Sequence, residues 1–501
     1  MALDIILVKN TVLDILNFLA GACFSADRWD WKFHLNLLLP LVLFFHSMED
    51  AILYSPVTEY FYYLKYHLNL MEYIQCPLRY NKRKRSIELY LAAWKLPDDR
   101  MRVKLFLSIM NNTLKNAFEH KPLLAALLCA GTMIYLSGMV PYNSPPFSQW
   151  DLHNYRLMAQ ASPHIDRSVC PPYLYRILGP YIVGLFPGGD ATGFYLAAIL
   201  CSLLLVVVYF RLLCAVGISP RAAGLATMLL TMNRYFFGFT VWDCFQIDDL
   251  IAEVLLLALF LCMFKLKWGA YSVLLLLGSL TRESVFIIVP ATLVFLWERK
   301  KIKEELMPLC AAILPGVMVF IVLRVIIKST CTDHESGLPG SGMAYYWWAF
   351  FKYLKHFIQP ETLFRRLVNA FVPFSFLPII FFQETGEFLV RYKHLGVFYV
   401  LVFISAVFGG DAERLMAPAF IVFYMLLGRI IDKTVVNRPL GWMAVIGIAF
   451  VSTIHHQNAR FLLPSQKYTV LFSMGSLLLM TLCCIFYRIK YRRRTVFSGF
   501  R

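Results

Sequence analysis

Charged residues are scarce in this sequence: Asp, Glu, Lys and Arg make up 16% of 501 residues, against 59% hydrophobic, with a mean hydropathy of +0.60. A soluble domain carries about 25% charged residues, so an ordinary water-soluble fold is excluded. Paired CxxC spacing is also lacking. The twelve cysteines are scattered, several inside apolar runs (Cys129, Cys201, Cys262, Cys310, Cys483 and Cys484), and they read as small buried side chains rather than zinc ligands. There is no internal repeat and no low-complexity linker. A cleavable leader is not expected, because Lys9, Asn10 and Asp14 interrupt the apolar stretch 3–24 and no basic head precedes it. The net charge of +17 does not point to nucleic acid, since Lys and Arg fall in short clusters between apolar runs rather than on one amphipathic face.

What is there is a series of apolar runs from about 122 to 487, each near the roughly 20 residues that cross a bilayer. The fold class expected is all-α, a polytopic transmembrane bundle of about twelve spans with a large first external loop containing interface helices. Basic clusters set its orientation, because Lys and Arg are retained in the cytoplasm. The run RIKYRRR at 488–494 follows the apolar stretch 468–487 and fixes the carboxyl end inside. Alternating back from it, spans fall near 440–456, 413–431, 395–409, 367–383, 306–327, 284–297, 268–281, 249–265, 222–240, 191–212 and 122–141. The loops this puts inside are the basic ones: KLK at 265–267, ERKKIKEE at 298–305, RYK at 391–393, and Arg429, Lys433 and Arg438. The segment 328–366, placed outside with five Lys and Arg residues, is the exception. Residues 173–187 are too short to cross and are read as lying in the outer interface, extending a loop that begins at 142. Three domains follow: 1–120, a helical cytoplasmic or interfacial segment with a basic run NKRKR at 81–85; 121–487, the transmembrane domain; and 488–501, a basic cytoplasmic tail.

An ionisable side chain in a bilayer costs several kcal/mol unless it is paired or wet, so placement carries information (about 2.5–3.5 kcal/mol on insertion scales). On this map the unusual ones collect at the external helix ends: Asp151, Arg176, Asp243, Asp248, Asp249, Arg282, Glu283, Asp411, Glu413, Arg414, His455, His456 and Arg460. Each has a plainer alternative. Asp151 could be a solvated loop residue, Arg176 could snorkel to headgroups, Arg282 and Glu283 could pair at a tight turn, and Asp411 could cap a helix. Arg414, three residues beyond Asp411, is left unexplained by capping. Its guanidinium fork matches phosphate oxygens. The His455–His456 pair reads as an interfacial pair rather than a metal site. Of Cys170, Cys244 and Cys331, all placed outside, any two could form a disulfide.

Asp151, Tyr155 and Ala159, ahead of PYLYRILGP at 172–180, resemble the GT-C class of polytopic membrane glycosyltransferases, in which an acidic residue in the first external loop precedes interface helices. The resemblance covers roughly 122–487. It implies transfer of a sugar from a polyprenyl-phosphate-type lipid donor to an acceptor hydroxyl at the external or luminal face, in an inverting displacement. Asp151 would be the catalytic base, with Arg176, Asp248, Arg282, Glu283, Asp411 and Arg414 binding substrate. No second acid adjoins Asp151, since Leu152 and His153 follow it, so a divalent metal is not favoured and no cofactor is assigned. The partners implied are the lipid-linked donor, membrane lipid and an acceptor; the location is a bacterial plasma membrane or an endoplasmic reticulum. The competing expectation is a transporter or flippase of a lipid or amphiphile.

Overall fold

In hydrocarbon every backbone N–H and C=O needs an internal partner, and a helix supplies those partners within one segment. The computed structural model describes residues 121–138, 151–186, 189–327, 329–331, 350–354, 359–408, 412–434, 439–457 and 466–498, and every regular element among them is helical. The chain divides after Lys121, and the remaining described residues belong to the second unit, Pro122–Arg501. The segment 1–120 assigned above lies outside the described residues, as do Asp411 and Arg460.

The helices are α1 (Lys121–Ser137), α2 (Asp151–Ala161), α3 (Leu178–Gly184), α4 (Asp190–Ala215), α5 (Pro220–Thr231), α6 (Ile247–Phe264), α7 (Trp268–Ser279), α8 (Ile288–Glu298), α9 (Ile302–Ile326), α10 (Pro360–Leu367), α11 (Phe382–Arg391), α12 (Lys393–Ser405), α13 (Phe420–Thr434), α14 (Pro439–Gln457) and α15 (Gln466–Ser498). At α5 the sequence marks its own start: Ser219 accepts the Ala222 N–H and Pro220 occupies the first turn. Helix α6 is the centre, buried nearly all round from Ile247 to Met263, and packs on α4 and α7. Helix α9 packs along α7, α8 along α12, α13 along α5, and α14 along α15.

Three helical segments are long and apolar enough to cross a membrane, Asp190–Ala215, Ile302–Ile326 and Leu471–Lys490, and α11 with α12 make a fourth if a pair bent by 103° counts as one span. The expected count was about twelve. Several expected spans are shorter helices, among them Lys121–Ser137 and Trp268–Ser279, and α6 carries Asp248, Asp249 and Glu253 in its first two turns. The stretch 367–383 is not one helix. Its residues form separate short turns, Asn369–Phe371 and Leu377–Ile380, because Pro373 and Pro378 each remove a backbone donor.

In the short segment expected to lie in the interface, the described residues 173–186 form a single turn at Tyr173–Tyr175 and then α3. This segment packs against α2 through Met158, Val169, Leu174, Tyr175 and Tyr181. Cys170 and Cys331 are disulfide-bonded across 161 residues, which resolves the open choice among three cysteines; Cys244 is a buried free thiol. Beside the bridge, Thr330 N–H donates to the Arg167 carbonyl at 2.8 Å and Ser329 Oγ to the Val169 carbonyl at 2.8 Å.

The two ends of the bundle differ chemically. At one end the basic loops meet: Ser219 Oγ donates to Asp432 Oδ1 at 2.5 Å, Trp268 Nε1 to Glu305 at 2.6 Å, and Lys433 lies 3.1 Å from Glu387. Glu298 there accepts the Lys393 N–H at 2.6 Å and contacts His394 Nδ1. The other end holds the ionisable cluster.

Candidate functional site

The cluster forms where α2, α3, α6 and the turn after α7 converge with the turn Ala412–Leu415. Each side chain is delivered by an element end, where the chain leaves apolar surroundings. Asp151 is the first residue of α2. Tyr173 and Arg176 come from the single turn before α3, Gln246, Asp248 and Asp249 from the start of α6, Arg282 and Glu283 from the turn after α7, Arg324 from the last turn of α9, and Arg414 from the turn Ala412–Leu415.

The Asp151 carboxylate accepts from the Tyr173 hydroxyl through Oδ1 and from Gln246 Nε2 at 2.5 Å through Oδ2. Arg414 Nη1 lies 3.6 Å from the same Oδ2, and Arg414 Nε lies 3.6 Å from Asp249 Oδ2. Asp249 in turn meets Arg282 Nη1 at 2.6 Å. A second arm runs through Glu283, whose two oxygens take Arg324 Nη2 at 2.7 Å and Arg176 Nη2 at 3.3 Å. Arg176 Nη1 is 3.5 Å from the Tyr155 hydroxyl, and Tyr155 packs edge-on against Tyr173 at 5.3 Å.

Burial separates the members. The side chains of Asp151, Glu283 and Arg414 keep 24%, 24% and 18% of their surface, whereas Asp249 keeps 3%. Desolvation works to raise the Asp151 pKa, but Arg414, the hydrogen bonds from Tyr173 and Gln246, and Arg176 outweigh it, so the carboxyl is held below the usual range. Asp151 is therefore ionised at neutral pH. The neighbouring Tyr173 hydroxyl moves the other way, raised by burial and by the adjacent Asp151 charge, and stays a donor.

Of the residues singled out in the sequence, Asp151, Arg176, Arg282, Glu283 and Arg414 thus share one contact network with Asp249. Asp248 stands behind it, fully buried, its Oδ1 accepting the Gly179 N–H at 3.0 Å. That contact needs glycine: a Cβ at 179 would lie 2.6 Å from Asp248 Oδ1. Asp243 is buried just before α6. Glu413 faces away into a neighbouring knot, where Arg365 grips it bidentately at 2.7 and 2.6 Å and Asn369 Nδ2 donates to it at 2.9 Å. Asn369 also reaches the Tyr235 hydroxyl at 3.0 Å. The placement of Asp411 is outside the described residues, and so are the side chains of His455 and His456.

Three participants, and the buried Glu253 one turn beyond Asp249, were not legible beforehand. Tyr173 and Gln246 are uncharged and carried no burial cost to flag them. Arg324 and Glu253 lie inside expected spans, and there the signal existed: an arginine and a glutamate within apolar runs are intramembrane charges needing a reason. Among the described residues no group of three or more His, Cys, Asp or Glu is placed to hold a metal ion. Comparison of the chain with protein families, with curated proteins and with solved structures finds no match to any of the three.

Proposed function

We propose that the protein is a polytopic membrane glycosyltransferase of about twelve spans that moves a sugar from a polyprenyl-phosphate-type lipid donor to an acceptor hydroxyl at the external or luminal face. The observation that carries this reading is the Asp151–Arg414 pair, a carboxylate and a guanidinium 3.6 Å apart that are both partly exposed and stand beside the buried Asp249. In the displacement, the acceptor oxygen attacks the anomeric carbon and its proton passes to Asp151. The carbon–oxygen bond to phosphate breaks, and the electron pair leaves on a phosphate whose growing charge Arg414 meets. Because Asp151 is a weak base, proton transfer comes late, when the new bond has acidified the hydroxyl.

Arg414 can turn to a phosphate without stranding its partners. Asp249 keeps Arg282 at 2.6 Å, and Asp151 keeps Tyr173 and Gln246. Arg282, Arg176, Glu283, Asp248 and Asp411 are read as the frame of the donor site, and the Cys170–Cys331 bridge agrees with an oxidising external face. The test is incubation of the purified protein in vesicles with radiolabelled polyprenyl-phosphate sugars, following release of polyprenyl phosphate. No release across a panel of hexosyl and pentosyl donors, from protein that retains its fold, removes the proposal.

A second reading, a transporter or flippase, is favoured by one feature: the 103° break between α11 and α12, since transporters place broken helices at substrate sites. Against it, the ionisable cluster gathers at one end of the bundle. Movement of a labelled lipid across vesicles without chemical turnover would decide for it.

A further inference from the structure

Glu253 takes no part in the network just described. It lies four residues beyond Asp249, one turn deeper along α6 and on the same helix face. Its side chain is buried, at 2% exposure, and neither carboxyl oxygen has a hydrogen-bond partner among the described residues. The described guanidiniums nearby are committed elsewhere: Arg282 and Arg414 to Asp249, Arg176 and Arg324 to Glu283. Among the described residues two charged groups act on Glu253, Asp249 from its own helix and Arg282 from the turn after α7. An ionised carboxylate buried without a partner is among the costliest arrangements a protein can adopt, and such groups take a proton instead.

We propose that Glu253 is a proton-binding site, its carboxyl carrying a proton in the resting protein and releasing it when Arg282 leaves Asp249 to pair with it. The geometry makes the exchange local. Asp249 and Glu253 lie one turn apart on α6, and Arg282, which pairs with Asp249 at 2.6 Å, also acts electrostatically on Glu253, so a swing of one side chain would pass the guanidinium from one acid to the other. With Arg282 on Asp249, the proton stays on Glu253. Once Arg282 swings inward, its ion pair with Asp249 is replaced by one with Glu253, Asp249 keeps Arg414, and the proton released from the Glu253 carboxyl passes to water at the aqueous end of the cluster. The site does not depend on the sugar-transfer reading.

The experiment is infrared difference spectroscopy on the full-length protein in lipid vesicles near pH 7, reading the carbonyl band of a protonated carboxylic acid. The wild type should show it, Glu253→Gln should lose that component while melting unchanged, and Glu253→Asp should shift it. In Asp249→Asn, where Arg282 has lost its partner, the Glu253 component should fall to less than half. A wild-type spectrum without protonated carboxyl absorption overturns the site whether or not the Gln variant folds. An unaltered band in both Glu253 variants does the same, and an undiminished band in Asp249→Asn overturns the exchange with Arg282.

Discussion

Replacing Asp151 by Asn removes a charge while keeping shape, and the structure says what else changes. Tyr173 still donates to the remaining amide oxygen. The new Nδ2 would oppose Gln246 Nε2, but Gln246 Oε1 has no partner among the described residues, so a flip of that amide restores a hydrogen bond to the substituted side chain. The loss left over is the 3.6 Å contact with Arg414, between side chains 18% and 24% exposed. A pair of that kind contributes about 1 kcal/mol. A general base contributes roughly 10²- to 10⁴-fold in rate, or about 3–5 kcal/mol. Asp151→Asn should therefore abolish most sugar transfer from a polyprenyl-phosphate donor while shifting the unfolding midpoint only slightly. Turnover within threefold of wild type would refute the base assignment, and a collapse of stability would refute the account of the amide flip. The pH dependence follows from the same environment. A depressed folded-state pKa means that the contribution of Asp151 is complete above the unfolded value of about 3.9 and is lost only as pH falls through the lower folded value. Transfer should show no acid limb from this group between pH 5 and 8.

Arg414→Ala should weaken donor binding by roughly 10- to 100-fold, the scale of a charge-assisted contact to phosphate, read by titration with a non-transferable polyprenyl phosphate; unchanged affinity would move the phosphate elsewhere. Gly179→Ala places a Cβ 2.6 Å from Asp248 Oδ1, so it should destabilise the protein by about 2 kcal/mol or more through the lost contact to a buried carboxylate, measured by thermal unfolding in detergent. A membrane-impermeant reductant followed by an impermeant maleimide should label Cys170 and Cys331 in sealed cells or vesicles of native orientation; labelling only after permeabilisation would invert the proposed orientation.

The helical class follows from the length of the apolar runs, because of the two ways to satisfy a backbone in lipid a closed barrel needs short alternating strands and a helix needs continuous runs of about 20 apolar residues. Sequence also separated the two ends: alternation through the runs put KLK at 265–267 and ERKKIKEE at 298–305 at one end, and Asp151, Arg282 and Arg414 at the other, and the helices assemble that way. Partner choice was beyond its reach. That Arg176 answers Glu283 across 107 residues, while Arg282 answers Asp249 rather than the adjacent Glu283, depends on which helix ends abut. Gln246 and Tyr173 were invisible for the same reason, since a neutral side chain acquires importance only from what stands opposite. The span count is tertiary only in part: Pro373 and Pro378, which break 367–383, stand in the sequence, whereas neighbours rather than length decide whether short helices such as α7 are covered. Periodicity and hydropathy are local properties that the chain carries wherever it folds, whereas an ion pair is a property of two distant positions and exists only once packing has brought them within a few ångströms.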